Sequence, residues 1–262
     1  EGEKFNKKKL LIRPYTLGCW LGDGNAFANG ISGVDEEIFE NIRKDGYLVK
    51  KLKSKYAYSI KTKFKKKLLK FRSLLKKLNV YSNKHIPNNY LFSDIRQRTE
   101  LLKGLMDTDG SCEKNGNMEF SGMNKELCEG VNFLLNSLGV KTGFYEYDCF
   151  LYGKYIGKKY RIGFTTSIKV FKLKRKLNRQ NKICKKDTKR RFIKEIKKVN
   201  SVPVRCIEVD NESKLYLAGK QLVPTHNSAI CAYIVLKTFL EGLLDIKKGK
   251  KDSIKIWIVA PS

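Results

Sequence analysis

Two short acidic turns carry the side chains best placed to do chemistry. Residues Leu101–Ser111 read Leu-Leu-Lys-Gly-Leu-Met-Asp-Thr-Asp-Gly-Ser, and residues Thr16–Asn25 read Thr-Leu-Gly-Cys-Trp-Leu-Gly-Asp-Gly-Asn. In the later stretch Leu101, Leu102, Leu105 and Met106 share one helical face. Gly104 lies on the same side and has no side chain to hold a second helix away. Gly110 follows Asp109, where a helix would end in a cap. Gly18, Asp23 and Gly24 repeat this arrangement, which sets Asp23 and Asp109 86 residues apart. A helix C-terminus is the negative pole of the dipole, so carboxylates there favour a compensating cation. Two carboxylates beside basic residues suit Mg²⁺, which takes oxygen ligands from one or two carboxylates, phosphate and water. Such a site could activate a water and stabilise the leaving oxygen of an in-line displacement.

The elements around these turns are expected to come in two similar sets. Pro14 suits the start of the first motif helix. A short strand is expected within Asn25–Val34, a helix from Asp35 to about Lys44, and strands within Tyr47–Lys63. Phe64–Asn79 reads as an amphipathic helix with Phe64, Leu68, Phe71, Leu75 and Leu78 inside. In the second set, Phe120-Ser-Gly-Met-Asn-Lys-Glu-Leu matches Ile31-Ser-Gly-Val-Asp-Glu-Glu-Ile position by position. A helix is expected over Asn124–Leu138, strands over Val140–Tyr147 and Tyr155–Thr166, and a helix over Ile168–Leu177. The duplication predicts a pseudo-twofold α+β domain whose motif helices pack through Gly18 and Gly104. Asp23 and Asp109 would then meet at one end.

The chain has 262 residues and a formal net charge of +29, which points to a polyanionic partner. The basic run Lys169–Lys198, with Lys172, Lys174, Arg175, Lys176 and Arg179 among its cations, is read as contacting phosphate. Seven cysteines without a CxxC pair argue against a disulfide framework or a zinc site. With no signal peptide or membrane-length apolar run, a cytoplasmic protein of a bacterial or phage-infected cell is expected, with no membrane partner.

The paired turns resemble the motifs of LAGLIDADG homing endonucleases of the kind carried inside inteins. That resemblance spans roughly Tyr15–Lys198. It implies two αββαββα halves, about 15–90 and 97–198, within an endonuclease domain over 1–198. It also implies a monomer that cuts double-stranded DNA at the uninterrupted host-gene site. Asp23 and Asp109 would be the metal-binding catalytic acids, one per strand, with Mg²⁺ or another divalent metal as cofactor. Asp107 would be structural. Lys84, in Asn83-Lys-His-Ile-Pro, resembles the family's lysine that organises solvent at the scissile phosphate. The strands would enter the major groove, the groove that distinguishes all four base pairs. Lys55, Lys61, Lys63, Lys154, Lys158, Lys159 and Arg161 are the candidate DNA-binding residues. The rival readings are a catalytically inactive nucleic-acid binder or maturase, and the C-terminal half of a trans-splicing intein.

Beyond residue 198 the character changes. Val202–Tyr216 reads as strand, turn, strand, and Leu222-Val-Pro-Thr-His-Asn leads into Ser228. Residues 199–227 resemble the C-terminal, β-rich Hint fragment of an intein. By that resemblance Asn227 cyclises, His226 assists as proton donor or polariser, and Ser228 is the first extein residue and acyl acceptor. Lys214 departs from the family, standing where an upstream block histidine is expected, and Cys206 replaces the commoner Asp. No N-terminal splicing nucleophile or Thr-x-x-His segment precedes the endonuclease region. The chain is therefore expected not to splice in cis, with an N-terminal intein half as a possible partner. Residues 228–262 read as a short α/β C-extein fragment resembling a phage terminase large-subunit ATPase.

Overall fold

The computed structural model describes residues 2–63, 70–182, 195, 197, 198, 200, 202, 203, 207, 209–225, 240 and 247. The chain divides into two units, Glu1–Arg191 and Phe192–Ser262.

In the first unit, residues 2–13 form a strap without regular structure. It is pinned by Glu3 N–H donating to the Ser137 carbonyl at 2.7 Å, Lys8 N–H to Gln97 Oε1 at 2.9 Å and Ile12 N–H to the Tyr90 hydroxyl at 3.0 Å. The first half then runs α1 (Pro14–Asp23), β1 (Gly30–Ser32), α2 (Glu36–Lys44), β2 (Tyr47–Lys51), β3 (Ala57–Thr62) and α3 (Phe71–Lys77). The second runs α4 (Asn88–Leu91), α5 (Ile95–Thr108), β4 (Gly110–Cys112), β5 (Met118–Gly122), α6 (Lys125–Ser137), β6 (Thr142–Leu151), β7 (Lys154–Phe164) and α7 (Lys174–Lys182).

The duplication is visible in strand order and register. The sheets are ordered β1-β3-β2 and β4-β5-β7-β6, and every neighbouring pair is antiparallel. Ile31 pairs with Tyr58 in the first sheet, and Phe120 pairs with Ile162 in the second. The strand expected before β1 is reduced to one bridge, from Gly24 to Ile31, where β4 pairs Gly110 with Phe120. The first half therefore has αββαββα order only if that bridge stands for a strand.

Tyr15 to Leu21 of α1 are all buried, so this helix is surrounded by protein. Asp94 starts α5 by accepting from the Gln97 amide at 2.7 Å. The two helices meet backbone to backbone. A Cβ on Gly18 would lie 3.1 Å from the Gly104 Cα and collide with the Leu101 carbonyl. A Cβ on Gly104 would lie 3.0 Å from the Gly18 Cα and collide with the Tyr15 carbonyl. Ile38, Phe39 and Ile42 of α2 and Val131, Leu134 and Leu135 of α6 bury their apolar faces in the same core.

Three elements differ from expectation. The helix expected over Phe64–Asn79 is interrupted at Lys70, whose backbone is extended (φ −60°, ψ 140°), and α3 starts at Phe71; Phe64 and Leu68 lie outside the described residues. The helix expected over Ile168–Leu177 begins instead at Lys174. The Lys172 and Leu173 amides donate to the Asp107 carboxylate at 3.0 and 3.1 Å, and that of Val170 to Gln180 Oε1 at 3.2 Å, which holds the preceding residues in place. Strand β6 runs on to Leu151, past the expected end at Tyr147.

In the second unit, β8 (Tyr216–Ala218) and β9 (Val223–Thr225) form an antiparallel hairpin, pairing Tyr216 with Thr225 and Ala218 with Val223. This pair lies C-terminal to the strands expected over Val202–Tyr216, several of whose residues lie outside the described ones. No helix among the described residues is long and apolar enough to cross a membrane.

Candidate active site at the paired helix ends

Helices α1 and α5 pack side by side in matched register. Gly18 faces Gly104, and Gly22 faces Thr108, where a Cβ on Gly22 would lie 3.2 Å from Asp109 Oδ2. The helices therefore end together, and Asp23 and Asp109 share one mouth. Asp23 is half-buried and Asp109 is open to solvent. Desolvation first, and then the Asp109 charge, raise the Asp23 carboxyl to about 6. Asp109 is raised too, by partial desolvation, against the pull of Lys84 and Lys176. Repulsion between close carboxylates is what a hard cation would relieve. No group of three or more His, Cys, Asp or Glu able to hold a metal occurs among the described residues. Two carboxylates with the rest of the shell left to water and phosphate is a donor set that fits Mg²⁺.

Lysines back both helix ends. Lys84, half-buried, donates from Nζ to the Gly22 carbonyl at 2.7 Å, and its own carbonyl accepts from Asn124 Nδ2 at 2.7 Å. Burial lowers its pKa, and the charges of Asp109 and Asp23 partly restore it. Lys176 of α7 is more deeply enclosed, with only 6% of its surface exposed. Its ammonium donates to the carbonyls of Met106 at 2.9 Å, Asp107 at 2.7 Å, Thr108 at 3.3 Å and Gly110 at 2.6 Å. A helix leaves its last carbonyls without partners, and Lys176 gathers those of α5 around one internal cation. Burial lowers the Lys176 pKa, which Asp107 opposes.

Sequence reasoning placed Lys176 among phosphate-contacting cations, and the structure gives it this internal role. Two neighbours in the run are also engaged. Lys172 pairs with Glu100 at 2.6 Å, and Arg175 pairs with Asp35 at 2.7 Å. The stretch 172–176 is thus more than a solvated basic face. Nothing in the local sequence distinguishes Lys176 from other lysines; only the approach of α7 to the end of α5 does. Asp107 is structural, as expected: it is buried and accepts from the Tyr15 hydroxyl at 2.8 Å and from the Lys172 and Leu173 amides.

The seven candidate DNA-binding residues are all exposed, but they do not share one face. Strand alternation puts Lys159 and Arg161 of β7 opposite the buried Tyr160 and Ile162. Across the register they lie beside Tyr147 and Tyr145, whose rings stack with centroids 6.4 Å apart. Arg161 is paired through Nε with Glu119 at 2.6 Å. Lys158 has the parity of Tyr160, so it lies on the helix-side face, where it pairs with Glu146. Lys154 follows the turn between β6 and β7. In the first half Lys61 lies on β3, Lys55 in the loop before it, and Lys63 just after it. Exposed Lys50, paired across from Ser59, lies on the same outer side of the first sheet as Lys61. His226, Asn227, Ser228 and Cys206 lie outside the described residues.

Residues 96–197 match the family model of the LAGLIDADG-like domain. Over 233 residues the chain is 36% identical to the replicative DNA helicase DnaB of Mycobacterium intracellulare, across 85% of this chain and 36% of that protein. It is also 60% identical over 38 residues to the replicative DNA helicase DnaB of Mycobacterium leprae, across 14% of this chain and 6% of that one. The aligned part thus spans about a third of the first relative's length. Among solved structures, mesophilic variants of the homing endonuclease I-DmoI align at 16% identity and TM-score 0.39, covering 65% of this chain and 93% of that one. The structure of I-DmoI in complex with DNA and Ca aligns at 16% identity and TM-score 0.39, covering 58% of this chain and 82% of that one. The second acidic turn, the long β6–β7 hairpin and Lys176 therefore all fall within a region, residues 96–197, that is similar to the LAGLIDADG-like domain.

Proposed function

We propose that Glu1–Arg191 is a monomeric, divalent-metal-dependent, site-specific endonuclease for double-stranded DNA, carried by an intein. The observation that carries this reading is the convergence of Asp23 and Asp109 at the shared end of α1 and α5. A bound Mg²⁺ would supply positive charge to an attacking water and to the leaving oxygen. Asp23 and Asp109 would hold it through carboxylate oxygens, and each half would contribute one, which suits a duplex with one scissile bond per strand. Lys84, under the influence of both carboxylates, keeps a donor at the mouth for solvent at the scissile phosphate. Lys176 holds the turn that presents Asp109. The net charge of +29 supports a DNA partner bound largely by phosphate neutralisation.

Two observations support an intein. The alignment covers most of this chain but 36% of a protein named as a helicase, as an insertion within a host protein would. The β8–β9 hairpin ends at Thr225, directly before His226 and Asn227. Asn227 would cyclise through its side-chain amide onto its own carbonyl, releasing the amine of Ser228, with His226 assisting. Ser228 would be the acyl acceptor and an upstream intein half the partner. Both named relatives favour a replicative helicase as host over a terminase. The cytoplasm, where such a host gene lies, is the expected place of action.

The test is to incubate the chain with a duplex carrying the host gene without its insertion, with and without Mg²⁺. The reading requires a double-strand break that depends on metal; equal cutting in chelator would exclude it. Mass spectrometry of the Asn227→Ala chain tests the other end, since C-terminal cleavage that survives the change assigns release to another residue.

A further inference from the structure

The two sheets share a register, and that register exposes an arm that only one half has. Taking Ile31–Tyr58 as the counterpart of Phe120–Ile162, Lys50–Ser59 corresponds to Gly143–Gly163. Strand β2 ends at Lys51, one residue beyond that pair, and its partner turns back by Ala57. Strand β6 continues through Glu146–Leu151, and β7 supplies Lys154–Tyr160 opposite it. The last of these pairs with a buried member is Glu146–Tyr160; from Tyr147 to Lys159 every residue is exposed or half-exposed. The tip is a two-residue turn with Tyr152 at φ 49° and Gly153 at φ +77°, and Tyr152 is fully exposed.

We infer that this arm reads DNA beyond the reach of the first half, so that the target is lopsided, with the longer and more tightly specified half-site under the second sheet. The inference rests on the DNA reading above and extends it to the shape of the substrate. The arm continues the face that carries Tyr145, Tyr147, Lys159 and Arg161; the irregularity between Cys149 and Phe150 returns Lys154, paired with Leu151, to that face, while Lys158 lies on the other. Lys154 and Lys159 lie on this face and the acids Glu146 and Asp148 on the other, a distribution of charge that selects duplex DNA as the occupant. Its extra strand length, at ~3.3 Å per residue, is about 20 Å, close to six base pairs at ~3.4 Å each. Exposed Tyr147 and Leu151, on that same face, suit thymine methyl groups and sugar edges better than water.

The test uses the full chain and a randomised duplex library, with Ca²⁺ in place of Mg²⁺ so that binding is read without cutting. A second chain has Tyr147–Lys159 replaced by an Asn-Gly turn, which closes the hairpin at Glu146–Tyr160. Because the removed residues lie outside the core, both chains should melt within a few degrees of each other, which checks that the shortened one folds. Sequencing the retained duplexes from the wild type should show about six more constrained base pairs on one side of the centre than on the other. The shortened chain should lose those positions alone, and its salt dependence should fall by about one to three in slope. Enrichment with the same constrained positions in both chains overturns the inference and leaves the tip to a protein partner. A wild type that enriches no duplex overturns the DNA reading together with it.

Discussion

The ends of α1 and α5 carry the same acid and are backed by lysines in different ways. At α5, Lys176 is buried and spends its ammonium on the carbonyls of Met106, Asp107, Thr108 and Gly110. At α1, half-buried Lys84 gives one hydrogen bond, to Gly22. Duplication has kept the position of the carboxylate while the lysine behind it has diverged. One lysine completes a helix end, holding the turn beside Asp109 by its carbonyls and pulling on that carboxylate by its charge. The other keeps donor capacity at the mouth, where solvent and phosphate would lie. Part of the cation that acidic helix ends demand is therefore built into the protein, and the carboxyl of Asp23, raised by burial and then by the Asp109 charge despite both lysines, marks where an external ion would help most.

The largest effect should come from removing the close helix approach on which both ends depend. Gly104→Val puts side-chain atoms against the Tyr15 carbonyl and the Gly18 backbone. Overpacking costs ~1–3 kcal/mol where neighbours can yield, and here they are backbone. Calorimetry should show either no cooperative transition or a Tm lower by more than ~10 °C.

Next, Lys176→Met should cost ~3 kcal/mol, because it strands buried carbonyls, and should lower Tm by roughly 6–12 °C. Lys84→Met should cost under ~1 kcal/mol, since one partly solvated hydrogen bond is lost. In cleavage the order should reverse per degree of Tm lost, with Lys84→Met the more damaging. Equal Tm losses would erase the contrast between the two halves.

The pH dependence of the metal-free chain sharpens the same contrast. The folded carboxyl of Asp23 stands at about 6, above its ordinary range near ~4. Between these values the folded chain holds a proton that the unfolded chain has released, so stability is present below pH ~4 and is lost as pH rises through 6. The Tm difference, Asp23→Asn minus wild type, should therefore grow across that window. A flat difference would place the Asp23 carboxyl in ordinary solvent. The smallest effect is expected at the exposed Arg175–Asp35 pair, where Arg175→Ala should change stability by less than ~1 kcal/mol.

Much of the site was legible because it is written in backbone requirements. Only glycine permits the approach at 18 and 104, and that approach alone aligns Asp23 with Asp109. Helix α2 falls on Glu36–Lys44, close to the reading from Asp35 to Lys44, although the Asp35 side chain pairs with Arg175 and makes no cap hydrogen bond. What stayed hidden depends on distant partners. The start of α7 is set by Asp107, 65 residues from the Lys172 amide it accepts from. The length of β6 was concealed by its turn, in which Tyr152 takes a left-handed conformation usually marked by Asn, Asp or Gly. Lys176 looks like any other lysine in a basic run until α7 is placed against the end of α5.

The most direct measurement is cleavage of the host-gene duplex in Mg²⁺ by Asp23→Asn and Asp109→Asn, with DNA retention measured in parallel. Each change should abolish the double-strand break and leave retention largely intact, since each acid would supply half of the proposed cation site. A double-strand break that persists in either variant would contradict the account and assign the chemistry elsewhere in the chain.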